Sequence, residues 1–122
     1  ILIADDEQPI RTALEQFLTM SGHTVVTVSS GSEALWRCTG DETFDAILLD
    51  IRMPDVSGIQ IFQRWRREQP ALADRVLFIT GDIVSVDLQE FLRGTGRPYL
   101  AKPFELDDVL AHLPSARGAS VR

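Results

Sequence analysis

Hydrophobic and polar positions along the chain follow two patterns that alternate from beginning to end. Short runs of consecutive apolar residues, such as residues 46–49, indicate strands that are buried on both faces. Between these runs, apolar residues recur at three- and four-residue steps, which is the spacing of one buried helix face. The expected strands cover residues 1–4, 23–29, 45–50, 75–80 and 98–101. A helix is expected after each strand, so the pattern predicts five strand–helix units.

Residues typical of helix ends set the limits of the predicted helices. Ser30 opens a capping-box motif at the start of the second helix. Ser57 is expected to cap the third helix, and Pro70 is expected to end it. Residues 114–122 are mostly small or polar, a composition typical of a linker. We therefore expect one domain at residues 1–113 and a tail at residues 114–122.

The alternation of strands and helices predicts an α/β fold. Right-handed crossovers between consecutive strands make the sheet parallel and cover both of its faces with helices. We predict a flavodoxin-like (βα)5 three-layer sandwich whose five strands take the order 2-1-3-4-5. Trp36 and Trp65, on the second and third helices, are expected to be packing residues. In this order the first and third strands are neighbours, and ligands bind in the crevice beyond their carboxyl ends.

Composition and charge narrow the class of protein. A chain of 122 residues with 44% hydrophobic content is expected to form one globular domain. Its net charge of −6 argues against direct contact with nucleic acid or an anionic membrane surface. The single cysteine, Cys38, cannot form an internal disulfide, so a cytoplasmic location is expected. Because the chain begins inside a strand-like run without a methionine, we expect it to be a piece of a longer protein.

Carboxylates follow the first and third predicted strands. Asp5 and Asp6 come directly after the first strand, and the apolar run at 46–49 ends on Asp50. Because neighbouring parallel strands end at the same edge of a sheet, these three carboxylates are expected to converge. Such close negative charges need a compensating positive charge. An all-oxygen ligand set suits Mg²⁺, with Mn²⁺ as a substitute, so the sequence predicts a divalent cation site.

Two further strand ends carry groups that suit a phosphoryl group. Lys102 follows the fifth strand, and Thr80 with the Gly81 backbone N–H follows the fourth. Three carboxylates and one lysine carry a net charge of −2, so one divalent cation neutralises the site before a phosphoryl dianion enters. Each residue taken alone is better explained as an ordinary loop or strand residue. Their convergence on one sheet edge favours a phosphoryl site.

Together these motifs resemble the receiver domain of two-component signalling, from residue 1 to about residue 113. The positions that match are Asp5-Asp6, Asp50 with Met53-Pro54 and Gly58, Thr80-Gly81, Tyr99, and Lys102-Pro103-Phe104. The stretch from residue 78 to residue 104 is similar to receivers at the C-terminal end of hybrid histidine kinases. The resemblance therefore implies a signalling domain with self-phosphorylation and autodephosphorylation activity, and it leaves open whether a kinase adjoins it.

The resemblance implies that Asp50 is the phosphoacceptor for a histidine of a kinase or of a histidine phosphotransfer domain. Lys102 would pair with a phosphoryl oxygen, and the Thr80 hydroxyl and the Gly81 N–H would bind the same group. Thr80 and Tyr99 would also form a switch that repacks the face made by the fourth helix, the fifth strand and the fifth helix. The same face would be open to dimerisation.

The resemblance also implies a ligand set for the cation and a control of phosphoryl lifetime. Asp5, Asp6 and Asp50 would hold Mg²⁺ together with the backbone carbonyl of Arg52. Arg52 and Asp82 each lie two residues beyond a key site residue, Asp50 and Thr80 respectively. Both would tune how fast water attacks the phosphoaspartate.

Other functions use the same fold or the same chemistry. A pseudo-receiver that docks partners without phosphorylation is the main alternative, although no site residue is replaced. An aspartyl-phosphate phosphatase is less favoured, because its general acid would stand where this chain has Arg52. A flavin-binding module would need a Gly/Ser/Thr-rich phosphate loop where this chain has Asp5-Asp6.

Overall fold

The computed structural model describes residues 1–39, 44–81 and 85–114. The strands are β1 (Leu2–Ala4), β2 (Val26–Val28), β3 (Ile47–Asp50), β4 (Val76–Thr80) and β5 (Tyr99–Ala101). The helices are α1 (Gln8–Met20), α2 (Gly31–Arg37), α3 (Gly58–Glu68), α4 (Pro70–Ala73), α5 (Val86–Thr95) and α6 (Leu106–Ala111). Most of the predicted tail, residues 115–122, lies outside the described ranges.

The five strands form one parallel sheet in the order β2-β1-β3-β4-β5. This confirms the predicted flavodoxin-like fold and strand order. Ala4 pairs with Leu49 across the β1–β3 ladder, so Asp5 and Asp50 leave the sheet as neighbours. Thr80 pairs with Ala101 in the same way, immediately before Lys102. The register of the sheet therefore brings four strand ends to one edge.

Two hydrophobic cores lie on the two faces of the sheet, which makes the molecule three layers thick. In β3, Ile47 and Leu49 belong to one core, which α2, α3 and α5 cover. Leu48, between them, belongs to the other core, which α1 and α6 cover. Alternate side chains of a strand point to opposite faces, and both faces are apolar here because both are covered.

The third helix ends before Pro70, as predicted, but a short helix that was not predicted follows it. Helix α3 begins as expected, with a capping box between Ser57 and Gln60. It ends at Glu68, and Pro70 then begins the additional short helix α4. Proline fits the first turn of a helix because the backbone N–H that it lacks would have no helical partner there. Pro70 therefore starts one helix as well as following another.

The two tryptophans lie in different environments. Trp65 is buried on α3, as predicted, but Trp36 on α2 is 70% exposed, so its expected packing role is wrong. Ala34 and Cys38, four residues apart, are the positions that α2 buries, and Trp36 lies between them on the opposite side. At the start of α2 the Ser30 hydroxyl accepts the Glu33 N–H, which is one half of a capping box.

Candidate functional site

The carboxyl ends of β1 and β3 place three carboxylates together. Asp5 and Asp50 are almost completely buried, whereas Asp6 is exposed at the rim. One oxygen from each of the three lies within 4.8 Å of the others. The convergence predicted from the sequence is thus present in the structure.

Lys102 joins these carboxylates from the end of β5. Its Nζ lies 3.1 Å from Asp5 Oδ2 and 3.2 Å from Asp50 Oδ2. A further carboxylate, Glu7 Oε2, lies 3.3 Å from the same nitrogen. No role was predicted for Glu7, and the sequence pattern that could have indicated one is that Glu7 continues the acidic run Asp5-Asp6.

The loop after β1 is held by hydrogen bonds on both sides of Asp5. Asp5 Oδ1 accepts the backbone N–H of Glu7 at 2.8 Å. The Arg11 guanidinium, from the first turns of α1, donates to the backbone carbonyl of Asp5 at 2.8 Å. The Asp5 N–H donates to the Val28 carbonyl of the neighbouring strand. The position of this carboxylate is therefore fixed before any ligand arrives.

The loop after β3 is equally constrained. The Arg52 N–H donates to Asp50 Oδ1 at 3.2 Å, which leaves Oδ2 for Lys102. The Gly58 N–H donates to the Ile51 carbonyl at 2.8 Å and brings the start of α3 against the strand end. A Cβ atom at Gly58 would lie 2.5 Å from the Asp50 carbonyl oxygen, so only glycine permits this approach.

Burial and charge alter the acid–base properties of the site. Burial, and next the charge of Asp5, raise the pKa of Asp50 to about 7, although Lys102 and the Arg52 N–H act in the opposite direction. Burial tends to lower the pKa of Lys102, but its contacts with Asp5 and Asp50 outweigh that effect and raise it. One lysine therefore compensates the buried negative charge only partly.

The cluster fits a hard divalent cation. Its ligands are all oxygens, which Mg²⁺ and Mn²⁺ prefer. Asp5 Oδ2 is buried and makes no hydrogen bond within the described residues, so its contact with Lys102 is an ion pair only. A cation would provide both the missing positive charge and a partner for this oxygen. Asp5, Asp6 and Asp50 are positioned to hold it.

The remaining predicted site residues occupy the neighbouring strand ends. Thr80 is completely buried at the end of β4, and Gly81 after it is exposed, with open space around its Cβ position. Tyr99 on β5 is 45% exposed and pairs in register with Phe78. Asp82 lies outside the described residues. The peptide bond between Lys102 and Pro103 is cis.

A cavity of about 580 Å³ opens beside Lys102, between the start of α1 and the segment before α6. Apolar side chains from both segments form most of its wall, among them Pro9, Ile10, Leu14, Phe104 and Leu106. Glu7 and Lys102 lie at its polar end. The site is thus bordered by an apolar recess.

Comparison with known proteins identifies the family. The family model described as "Response regulator receiver domain" matches residues 1–114. The transcriptional regulatory protein TcrA of Mycobacterium tuberculosis is 35% identical over 113 residues, which are 93% of this chain and 44% of TcrA. The DNA-binding transcriptional regulator NtrC of Azospirillum brasilense is 33% identical over 111 residues, which are 91% of this chain and 22% of NtrC.

Solved structures agree with the sequence relatives. A CheY-like response regulator receiver domain from Methanospirillum hungatei JF-1 has a TM-score of 0.80 at 27% identity and covers 90% of this chain and 86% of its own. A Burkholderia pseudomallei response regulator, solved with a phosphorylated aspartic acid, a calcium ion and citrate, has a TM-score of 0.76 at 29% identity. That match covers 93% of this chain and 65% of the other.

This chain spans less than half the length of the two regulators compared above. What it shares with them is the receiver portion, since the family model covers residues 1–114. The fold, the strand order and the acidic cluster agree with that match. The chain belongs to the response regulator receiver domains of two-component systems.

Proposed function

We propose that this chain is a phosphoacceptor switch in which Asp50 receives a phosphoryl group from a histidine. The observation that carries the proposal is the position of Lys102 Nζ, 3.2 Å from Asp50 Oδ2 and 3.1 Å from Asp5 Oδ2. This arrangement presents a nucleophilic oxygen, a positive charge for a phosphoryl oxygen and an acidic cation site within a few ångströms. The relative solved with a phosphorylated aspartic acid supports the assignment.

The reaction transfers one phosphoryl group. The P–N bond to the donor histidine breaks as a P–O bond to an Asp50 carboxylate oxygen forms. The electron pair of the broken bond returns to the imidazole nitrogen. The ring leaves as neutral imidazole, because its other nitrogen already carries a proton or because the ring takes up a proton from solvent. Lys102 would pair with a phosphoryl oxygen, and the Thr80 hydroxyl and the Gly81 N–H would complete the binding of that group.

We assign the cation site to Mg²⁺, with Mn²⁺ as a substitute. Asp5, Asp6 and Asp50 would hold it, and the Arg52 backbone carbonyl would add a ligand. When bound, the cation supplies positive charge that offsets the approaching phosphoryl oxygens. The buried Asp5 Oδ2, which makes no hydrogen bond within the described residues, supports this assignment.

Phosphorylation would change the shape of the face made by α5, β5 and α6. These are the predicted fourth helix, fifth strand and fifth helix, since the additional helix α4 shifts the numbering. The buried Thr80 would turn its hydroxyl toward the phosphoryl group, and the exposed Tyr99 would move into the space that this leaves. Such a coupling is a two-state element that a new charged ligand biases. Downstream partners, or a second copy of the chain, would read this face.

The partner that supplies the phosphoryl group would be a histidine kinase or a histidine phosphotransfer domain. The proposed location is the cytoplasm, and the proposed receiver boundaries are residues 1–113, with a tail at 114–122. Among the described residues, no helix combines the length and the apolar character needed to cross a membrane. The proposal includes two arrangements of the longer protein. Its output is either transcriptional, as the names of TcrA and NtrC state for those proteins, or that of a hybrid histidine kinase.

Intact-mass spectrometry after incubation with acetyl phosphate tests the proposal. We expect one phosphoryl adduct on the native chain in the presence of Mg²⁺, and none after chelation. The Asp50→Asn variant should take up no phosphoryl group, because a neutral amide oxygen is a much weaker nucleophile than a carboxylate oxygen. Asp74→Asn, which removes a similar charge at an exposed position, is the matched control and should be phosphorylated normally.

The same assay separates the alternatives. A folded native chain that binds Mg²⁺ but forms no adduct would support the pseudo-receiver and contradict the phosphoacceptor. Turnover of small phosphate esters would instead support the phosphatase.

The rate at which the adduct decays after removal of the donor tests the proposed control of phosphoryl lifetime. Arg52→Ala should change the decay rate more than it changes the stability, and an unchanged rate would contradict that role. We expect the same effect on the decay rate when Asp82, which lies outside the described residues, is exchanged.

A further inference from the structure

Glu7 is the carboxylate in the site to which neither the sequence nor the proposed reaction assigns a role. Its Oε2 lies 3.3 Å from Lys102 Nζ, across 95 positions of sequence. Its backbone N–H donates to Asp5 Oδ1, so the same residue is joined to the site at two points. Unlike Asp5 and Asp50, its side chain is 55% exposed.

Lys102 already has as many carboxylate partners as it has N–H groups. Asp5, Glu7 and Asp50 lie 3.1, 3.3 and 3.2 Å from Nζ. An ammonium group carries three N–H donors and accepts nothing. Glu7 Oε2 and Asp50 Oδ2 each accept one of these hydrogen bonds, whereas the contact with Asp5 Oδ2 is an ion pair only. An incoming phosphoryl oxygen therefore competes with these carboxylates for the positive charge of Lys102.

The exposed carboxylate is the one that can leave. Asp5 is buried and fixed by its hydrogen bonds, and Asp50 is the group that receives the phosphoryl. Glu7 can move into water without leaving a buried charge unpaired. Its contact with Lys102 is thus the one that an incoming phosphoryl group displaces most easily.

Glu7 also changes the charge of the site. Asp5, Asp6, Glu7 and Asp50 contribute −4 and Lys102 contributes +1, which gives −3. A divalent cation reduces this to −1, whereas without Glu7 the sum would be zero. The charge that Glu7 adds opposes the approach of an anionic phosphodonor.

We infer that Glu7 is a positioning residue that restrains Lys102 and thereby slows the phosphorylation of Asp50. The inference rests on the proposed phosphoacceptor function and adds a regulatory role for a residue outside the reacting atoms. Removing the carboxylate should free one N–H of Lys102 for the phosphoryl group and lower the electrostatic barrier to the donor.

The test compares the native chain with Glu7→Gln, Glu7→Asp and the control Glu15→Gln, which removes one charge from an exposed position on α1, the helix that begins directly after Glu7. With acetyl phosphate and Mg²⁺, Glu7→Gln should be phosphorylated about three- to tenfold faster than the native chain. Glu7→Asp keeps the charge and should restore a rate close to native. Glu15→Gln should leave the rate unchanged.

Donor charge and salt provide readouts that a purely structural role would not move. The acceleration in Glu7→Gln should be smaller with phosphoramidate, whose ammonium group makes it less negative than acetyl phosphate. It should also decrease at high ionic strength, because salt screens an exposed charge. Thermal unfolding of each variant shows whether the fold is retained.

The outcomes distinguish this inference from the proposed function. If the native chain forms no adduct, the phosphoacceptor function fails. If the native chain is phosphorylated and Glu7→Gln reacts at the native rate or more slowly, only the inference about Glu7 is overturned. Equal acceleration by Glu15→Gln would also overturn it, since net charge alone would then explain the effect.

Discussion

At the scale of single residues, Gly58 is the position where the backbone and the site are most closely joined. It begins α3, and its N–H donates a hydrogen bond to the carbonyl of Ile51, the residue immediately after β3. A side chain there would meet the Asp50 carbonyl oxygen at 2.5 Å and Ile51 Cα at 2.9 Å. Both obstacles are backbone atoms, which cannot move aside without moving Asp50 itself.

We therefore expect Gly58→Ala to lower the free energy of unfolding by about 1–3 kcal/mol, the usual cost of overpacking. Gly94→Ala is the control, because Gly94 lies in α5 with nothing within 4 Å of its Cβ position. That change should alter the free energy by about 1 kcal/mol or less, toward higher stability. Urea unfolding measures both. Equal free energies of unfolding for the two variants would contradict this prediction, because the close contact at Gly58 would then not destabilise the alanine variant.

At the scale of elements, the loop after β3 also holds the beginning of α2. Asp55 Oδ1 accepts the Gly31 N–H and Oδ2 accepts the Ser32 N–H, each at 2.9 Å. A Cβ atom on Gly31 would collide with the Val56 carbonyl oxygen, so the helix start lies directly on this turn. Backbone N–H groups at a helix start need such acceptors. A loop of the site therefore caps a helix that contributes no site residue.

The Asp55 contact predicts a dependence of stability on pH. Hydrogen bonds from the hydroxyl and N–H of Ser32, with those from Val56 and Gly31, hold the pKa of Asp55 below its ordinary value. A carboxyl whose pKa is lower in the folded state stabilises the fold above its unfolded pKa. That stabilisation is lost as the pH falls toward the folded value.

Asp55→Asn should consequently be less stable than the native chain at pH 7. The difference between them should be constant above about pH 5 and should shrink as the pH falls further, because the native carboxylate becomes protonated. Urea midpoints at several pH values provide the measurement, and Asp74→Asn is the control. A difference that persists unchanged at low pH would show that the Asp55 charge is not what stabilises the contact.

At the scale of the whole molecule, the sheet connects the site to a distant face. Phe78 on β4 contacts Phe62 of α3 and Phe91 of α5 through edge-to-face rings, with centroids 5.2 and 5.9 Å apart. Phe78 also pairs in register with Tyr99. Thr80 lies two residues further along β4. A change in its side-chain conformation would therefore occur next to the packed aromatic cluster and the exposed Tyr99. Packed cores of this kind rearrange between discrete states.

Tyr99 is the single tyrosine of the chain, so a fluorotyrosine label gives one ¹⁹F resonance. We expect this resonance to shift when acetyl phosphate and Mg²⁺ are added, because the ring would leave solvent for the interior. In Asp50→Asn the resonance should stay unchanged under the same conditions. A native chain that shows the phosphoryl adduct by mass, yet an unmoved resonance, would contradict the proposed switch.

Several features were accessible from local sequence patterns. The apolar runs predicted all five strands. With the flavodoxin-like order 2-1-3-4-5, the residues that follow those runs were expected to converge, as Asp5, Asp6, Asp50 and Lys102 do. The pairing register then follows from burial, since a slip of one residue would exchange the two faces of a strand. Ser57 as the cap of α3 was equally local.

Other features depended on contacts between distant parts of the chain. The burial of Trp65 and the exposure of Trp36 depend on how each helix is rotated against the sheet, and a short amphipathic pattern does not fix that rotation. Helix α4 forms because Pro70 can begin a helix as well as follow one. The environments of the two tryptophans thus depend on tertiary packing, whereas the start of α4 at Pro70 is a local feature that the sequence analysis did not predict.

The sequence by itself determined the alternation of strands and helices and the parallel sheet, because hydrophobic periodicity and the crossover rule act on the whole pattern. The flavodoxin-like strand order, once assumed, then predicted which strand ends meet. Only the tertiary structure decided which side chains share a partner. Glu7 joins Lys102 and Asp55 caps α2 across 95 and 24 positions. Such contacts depend on side-chain conformation and loop path, which neither composition nor spacing specifies.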